Sequence, residues 1–183
     1  FIKLFSILFN MEEIKNQHCP FCNKDTMSLI EEEKDIPYFG KCYLMSMRCD
    51  SCNYYKSDIE SIDKKDPIKY TFTVKDKKDL NVRVVKGSEA TIKIPELRMS
   101  VESGVNSIAY ISNVEGVLRR FKKIIEDQRD NAEDDSVKKN AKNLLKKLWK
   151  VENGEMEIRV IIEDPSGNSA IISDKAEVNK LKK

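Results

Sequence analysis

Histidine occurs once in the 183 residues, at position 18, so the chain has no second imidazole to serve as a base. No Ser-His-Asp or Cys-His arrangement can be built unless His18 itself takes part, and His18 sits directly against Cys19. Glycine is sparse as well: six are scattered at turn positions, and none clusters into a loop that would cradle phosphates. These absences argue against an enzyme. Long apolar runs are also missing, and nothing approaches the roughly 20 residues of a membrane helix. The most apolar stretch, residues 1–10 (FIKLFSILFN), is too short to span a bilayer and lacks the basic flank and small-residue cleavage site of a secretory signal. Met11 is the expected start of the functional chain, with the ten residues before it as upstream sequence and 1–17 as an N-terminal extension of the cysteine unit; the competing reading docks the apolar decapeptide on the core. A surplus of one charge is missing too. Lys and Arg number 33 against 31 Asp and Glu, a formal net charge of +2, which argues against a dedicated nucleic-acid binder.

What is present is cysteine. Five cysteines in a lysine-rich chain without a signal sequence point to metal binding in the cytoplasm rather than to disulfides. Cys19-Pro20-Phe21-Cys22 and Cys49-Asp50-Ser51-Cys52 form two CxxC pairs. Each folds a tight turn that presents two thiolates, and two such turns complete the tetrahedron that suits one structural zinc ion. So small a unit has little core, and the metal supplies folding energy on the order of 10 kcal/mol. A thioredoxin-like redox pair would need a single CxxC beside a βαβ unit, and an iron–sulfur cluster is the remaining alternative. Cys42 is left over as a small buried residue in an apolar strand, with a regulatory thiol as the competing reading. His18 is expected in a loop outside the ligand shell.

Hydrophobic periodicity organises the rest. Residues 18–63 form the cysteine unit, ending in a charged linker (ESIDKKDP, 60–67). Ile36–Phe39 and Tyr43–Met47 are β-prone. Alternation at Ile68, Tyr70, Phe72 and Val74, at Leu80, Val82 and Val84, and at Ala90, Ile92 and Ile94 predicts strands with one buried face. The period then lengthens. Val114, Val117, Leu118, Phe121, Ile124 and Ile125 predict one amphipathic helix. Val137, Ala141, Leu144, Leu145, Leu148 and Trp149 predict a second, with Ser136 as its N-cap and Asn153-Gly154 as its stop. Phe121 and Trp149 are both expected in the core. Strand periodicity returns at Met156, Ile158, Val160 and Ile162, and Asp164–Asn168 is a turn that brings Ser169–Ile172 back as a partner strand. The expected fold is mainly β with an inserted helical hairpin at about 114–150, an α+β chain. Its units are a four-cysteine zinc ribbon (18–63), a β domain (64–173) and a charged, frayed tail (174–183).

Several short motifs occur in order: Cys19-Pro20-Phe21-Cys22, Ile36-Pro37-Tyr38-Phe39-Gly40-Lys41, Met45-Ser46-Met47-Arg48-Cys49, and Cys52 followed by Asp58. Ile94-Pro95-Glu96-Leu97, Val114-Glu115-Gly116 and Asp164–Ser169 continue the series. Together they resemble the ZPR-type zinc finger family across His18–Ile172. That resemblance implies a zinc ribbon, a helical hairpin and a β domain resembling a double-stranded β-helix. Eukaryotic members carry the module in tandem and bind translation elongation factor 1-alpha, assisting its folding. This chain is similar to the single-module archaeal members. It has Asn53 where the family has glycine, and asparagine tolerates the left-handed backbone such a turn requires.

The expected function is therefore binding and chaperoning of an elongation factor 1-alpha homologue. Tyr54, Tyr55 and Lys56 are candidate contacts, as are Asp164, Ser166, Gly167 and Asn168 in the later turn. Two other readings remain. One is an RNA- or ribosome-associated protein using the lysine face Lys138–Lys150; the other is a structural subunit of a larger assembly.

Overall fold

The computed structural model describes residues 11–36, 40–62, 65–104 and 106–181. The expectations placed on residues 1–10, on 37–39 and on the unit boundary at 63–64 lie outside them. The first sheet is an antiparallel meander of β1 (Met11–Gln17), β2 (Met27–Ile36), β3 (Gly40–Cys49) and β4 (Tyr55–Ser61). Its own core is thin. Cys19, Met27 and Cys49 are buried at one end, while Ile36, Cys42 and Ile59 at the other pack on Val85, Ala109 and Ala170 of the next unit.

That second unit is a jelly roll of two sheets. One runs β12-β5-β10-β7-β8, from β5 (Ile68–Val74), β7 (Thr91–Ile94), β8 (Met99–Val101), β10 (Ile158–Asp164) and β12 (Glu177–Lys180). The other runs β11-β6-β9, from β6 (Arg83–Lys86), β9 (Tyr110–Asn113) and β11 (Ala170–Ile172). Alternate residues of the larger sheet, including Phe72, Val74, Ile92, Ile94, Val160 and Ile162, meet Val84 and Ile171 of the smaller one in a single core. The hairpin of α1 (Val114–Asn131) and α2 (Asp135–Glu152) sits in the chain between β9 and β10. It drives Val117, Leu118, Phe121, Ile125, Ala141, Leu148 and Val151 into the same core. Mainly β with an inserted helical hairpin is thus the observed fold.

Six local expectations differ from what forms. Met11–Gln17, expected in an extension, pair with β2 as the edge strand of the cysteine unit's own sheet, because β2, paired with β3 on one side, offers them a free edge on the other. Trp149 is 55% exposed and Ile124 is 49% exposed. Each belongs to an adjacent apolar doublet, and successive helical residues point about 100° apart, so Leu148 and Ile125 take the core and their neighbours face outward. The α2 N-cap is Asp134 rather than Ser136; its carboxylate accepts the Ser136 N–H at 2.7 Å, which holds that carboxyl below its usual range. Leu80 lies in a 3-10 turn, Asp79–Asn81, because the Asp79 carboxylate gathers the N–H groups of Lys75 and Asp76. The Asp164–Asn168 turn is not a hairpin: β10 pairs with β5 and β7, while β11 crosses to pair with β6 in the other sheet. Finally, Glu177–Lys180 does not fray but adds to the edge of β5, with Val178 opposite Tyr70.

Candidate metal centre

The four CxxC cysteines come from two matching turns. Cys19 and Cys22 lie on the β1–β2 connection, and Cys49 and Cys52 lie where β3 turns into β4. In each turn the residue after the second cysteine is left-handed, Asn23 at φ 55° and Asn53 at φ 57°. The first cysteine of each donates its N–H to a carbonyl two residues beyond the second, Lys24 or Tyr54, at 2.9 Å. Asparagine thus fills both positions where a side chain would ordinarily resist a positive φ.

Among the described residues the four sulfurs form the one group of metal-ligating side chains, all within 4.8 Å of one another. Cys19 Sγ lies 3.8 Å from Cys52 Sγ, and Cys22 Sγ lies 3.6 Å from Cys49 Sγ. Four thiolates at the Zn–S length of about 2.3 Å around a tetrahedral ion stand about 3.8 Å apart. The donor set fits. The thiols are unequal: the Thr26 hydroxyl, 3.3 Å from Cys49 Sγ, is the chief cause that lowers Cys49 to about 6, with help from the N–H groups of Cys52 and Ser51. The Tyr54 N–H favours the Cys52 thiolate, but it is outweighed by partial desolvation and the crowd of neighbouring sulfurs of Cys49, Cys19 and Cys22, which push Cys52 up to about 12. A dication held by Cys19, Cys22, Cys49 and Cys52 would supply the charge that four crowded thiolates require. Thr26 carries no spacing signature, and sequence reasoning missed it.

His18 is exposed and pairs with Asp25, with Nδ1 3.0 Å from Oδ1, outside the sulfur cluster. Cys42 is fully buried seven residues up β3 from Cys49, where its thiol donates to the Lys34 carbonyl at 3.4 Å.

The candidate contact residues fall into two separate places. Tyr54 is half-buried and stacks on Phe21 of the other turn, with centroids 4.1 Å apart and planes at 29°. Phe21 is itself 62% exposed and carried no mark in the sequence beyond its place inside CxxC. Tyr55 is 52% exposed and lines a cleft of about 280 Å³ with Met45, Ile59 and Ile111; Lys56 beside it is half-buried. The later turn meets the first sheet at the far end of β4, six residues and about 20 Å from Tyr55. There Asp164 is fully buried and accepts from the N–H and hydroxyl of Ser166 and the hydroxyl of Ser169. Asn168 Oδ1 accepts the Ser61 N–H at 2.9 Å. Gly167 is buried at φ 74°, and a Cβ there would stand 2.5 Å from the Asp66 carbonyl oxygen. Asp164 and Ser166 spend their polar atoms on closing the corner itself, and Asn168 joins that corner to the first sheet. No helix among the described residues is long and apolar enough to cross a membrane.

Comparison with known proteins falls on the same two units. Residues 12–65 match the family model of the ZPR1 zinc-finger domain, and residues 78–183 match that of the ZPR1 jelly-roll domain. A ZPR1-like protein of Methanocaldococcus jannaschii is 37% identical over 181 residues, covering 94% of this chain and 91% of the relative. A ZPR1-like protein of Pyrococcus horikoshii is 35% identical, covering 94% and 79%. The Schizosaccharomyces pombe protein named zinc finger chaperone zpr1 is 30% identical over 145 residues, which span 74% of this chain and 30% of that protein.

Proposed function

This chain belongs to the ZPR1 family, and from that premise we propose that it is a zinc-dependent protein-binding factor that chaperones translation elongation factor 1-alpha and is not an enzyme. In this reading Cys19, Cys22, Cys49 and Cys52 hold one zinc ion. A shell of four thiolates leaves no position for a substrate, so the metal's role is structural. It fixes the two turns and thereby the aromatic surface they carry.

The observation that carries the binding role is that surface. Phe21 and Tyr55 expose most of their rings beside a closed cysteine cluster, and Tyr54 is stacked between the two turns. Large rings held rigid at a surface are the groups that anchor protein partners. The choice of client follows from the family resemblance, and the name of the fission yeast relative supports a chaperone role. Lys56 adds a positive charge beside Tyr55.

Titration calorimetry with the organism's own elongation factor 1-alpha, in GDP-bound, GTP-analogue-bound and empty forms, tests the reading. Binding is expected to at least one form, to be lost on chelation, and to weaken by over 1 kcal/mol on Phe21→Ala or Tyr55→Ala. Absence of binding to all three forms by zinc-loaded protein overturns the client. Unchanged binding in both aromatic variants overturns the surface.

A further inference from the structure

The outward face of α2 combines two features that no part of the metal centre or the core uses. The first is segregated charge. Six lysines against two acids, Asp135 and Glu152, give this one helix a surplus of four positive charges in a chain whose formal total is +2, so the remainder of the molecule is net acidic. Among the described residues none of Lys138, Lys139, Lys142, Lys146, Lys147 and Lys150 joins an ion pair, although lysines on most other elements do. Glu152 is itself engaged by Lys122 of α1. Five of the six are exposed, and Lys138 is half-buried. Arg98 extends the positive surface across a groove of about 720 Å³ that it lines with Lys146, Lys147 and Lys150.

The second feature is Trp149, more than half exposed. At 3.6 residues per turn it falls in one row with Lys138, Lys142 and Lys146, a strip about 16 Å long from Lys138 to the indole. Lysines alone fit any polyanion. An exposed indole aligned with them adds a flat apolar platform, and a nucleic acid offers a matching face at every residue, whereas an acidic peptide does so only where it carries an aromatic side chain.

We propose that the Lys138–Trp149 face of α2 binds single-stranded nucleic acid, with lysines on the phosphates and a base stacked on Trp149. The near-neutral total charge does not oppose this, because a helix-sized patch sets the local field. The site lies on a different element from the aromatic surface of the cysteine turns and stands whether or not an elongation factor is the client.

Trp149 is the chain's single tryptophan, so its fluorescence reports the site directly. Zinc-loaded protein is titrated with 12-nucleotide single-stranded RNA and DNA, and with a polyglutamate peptide of equal charge. Both oligonucleotides, or one of them, should quench Trp149 and bind with affinity falling as salt rises, by about 0.7 in the logarithmic slope per phosphate engaged. The double substitution Lys142→Gln, Lys146→Gln should weaken binding at least tenfold and flatten that slope by about 1.4. Trp149→Ala should weaken it about 5- to 150-fold, read by anisotropy of labelled oligonucleotide, and Trp149→Phe should restore most of the loss. All three positions are solvent-facing, so circular dichroism should match the parent. No quenching by either oligonucleotide, or binding indifferent to the lysine pair, overturns the proposal. Equal quenching by polyglutamate also overturns it and assigns the face to an acidic protein segment.

Discussion

Single side chains set the metal centre apart from its surroundings. Cys19→Ser or Cys52→Ser should abolish metal retention, measured by elemental analysis of purified protein, because a hydroxyl does not replace a thiolate in the shell. Cys42→Ser should leave metal content unchanged, since Cys42 lies seven residues along β3 from the cluster. Its cost in stability should stay near the low end of about 1–3 kcal/mol, because the new hydroxyl inherits the Lys34 carbonyl as a partner. Thr26→Val removes the hydroxyl that favours the Cys49 thiolate, and competition with a chelator should show affinity lowered about 10- to 100-fold. Asp79 gives the pH dependence. Burial works to raise its carboxyl, but the N–H groups of Lys75 and Asp76 and the Lys175 ammonium outweigh it, so it sits below the usual carboxylate range. A carboxyl depressed on folding stabilises the protein above its unfolded pKa, and that contribution is lost as pH falls through the folded value. Asp79→Asn should therefore cost about 1–3 kcal/mol at neutral pH and progressively less below about pH 4, read from denaturant midpoints across pH.

The helical hairpin is where periodicity left a choice open. Both helices have an apolar doublet at the edge of the stripe, and the pattern does not state which member turns inward. Packing settles it by volume and by the position of the partner helix. Phe121 is buried, and Phe121→Ala should cost roughly 3–5 kcal/mol in thermal or denaturant unfolding. Trp149→Ala should stay within about 0.5 kcal/mol of the parent, as for a surface site. The α1 entry depends on Asn113, whose side chain accepts the Gly116 N–H at 2.8 Å. Asn113→Ala should cost about 1 kcal/mol. Gly116 is small for a local reason: a Cβ there would stand 2.1 Å from Ser112 Oγ. Gly116→Ala therefore forces the Ser112 hydroxyl aside and loosens the same cap.

Across the molecule, the two units share few buried residues and stand on different supports. The large core draws on residues from Phe72 onward and includes none of the first sheet. The first sheet has only the small clusters at its two ends. Chelation should accordingly strip hydrogen-exchange protection from β1–β4 while α1, α2 and β10 keep theirs, giving two transitions on heating in place of one. The β10–β11 corner joins the units beside the apolar contact of Ile36, Cys42 and Ile59 with Val85, Ala109 and Ala170. Gly167→Ala drives a Cβ against the Asp66 carbonyl at a positive φ and should cost about 1–3 kcal/mol, with protection lost first at the end of β4.

The clustering of the four CxxC cysteines, the β-rich class, the two helices and most strand faces were readable from residue order, because each rests on local spacing: a CxxC turn, a period of two, a period of 3.6. Asn53 in place of glycine also announced its left-handed turn. The strand pairing of β11, the edge position of β12, the outward turn of Trp149 and the burial of Asp164 were not readable. Each depends on which distant surface is already occupied: β5 and β7 fill both sides of β10 and leave β11 to β6, and Leu148 fills the core position beside Trp149. Local chemistry names what a segment can do, and only the competition among all segments for one core assigns where it goes.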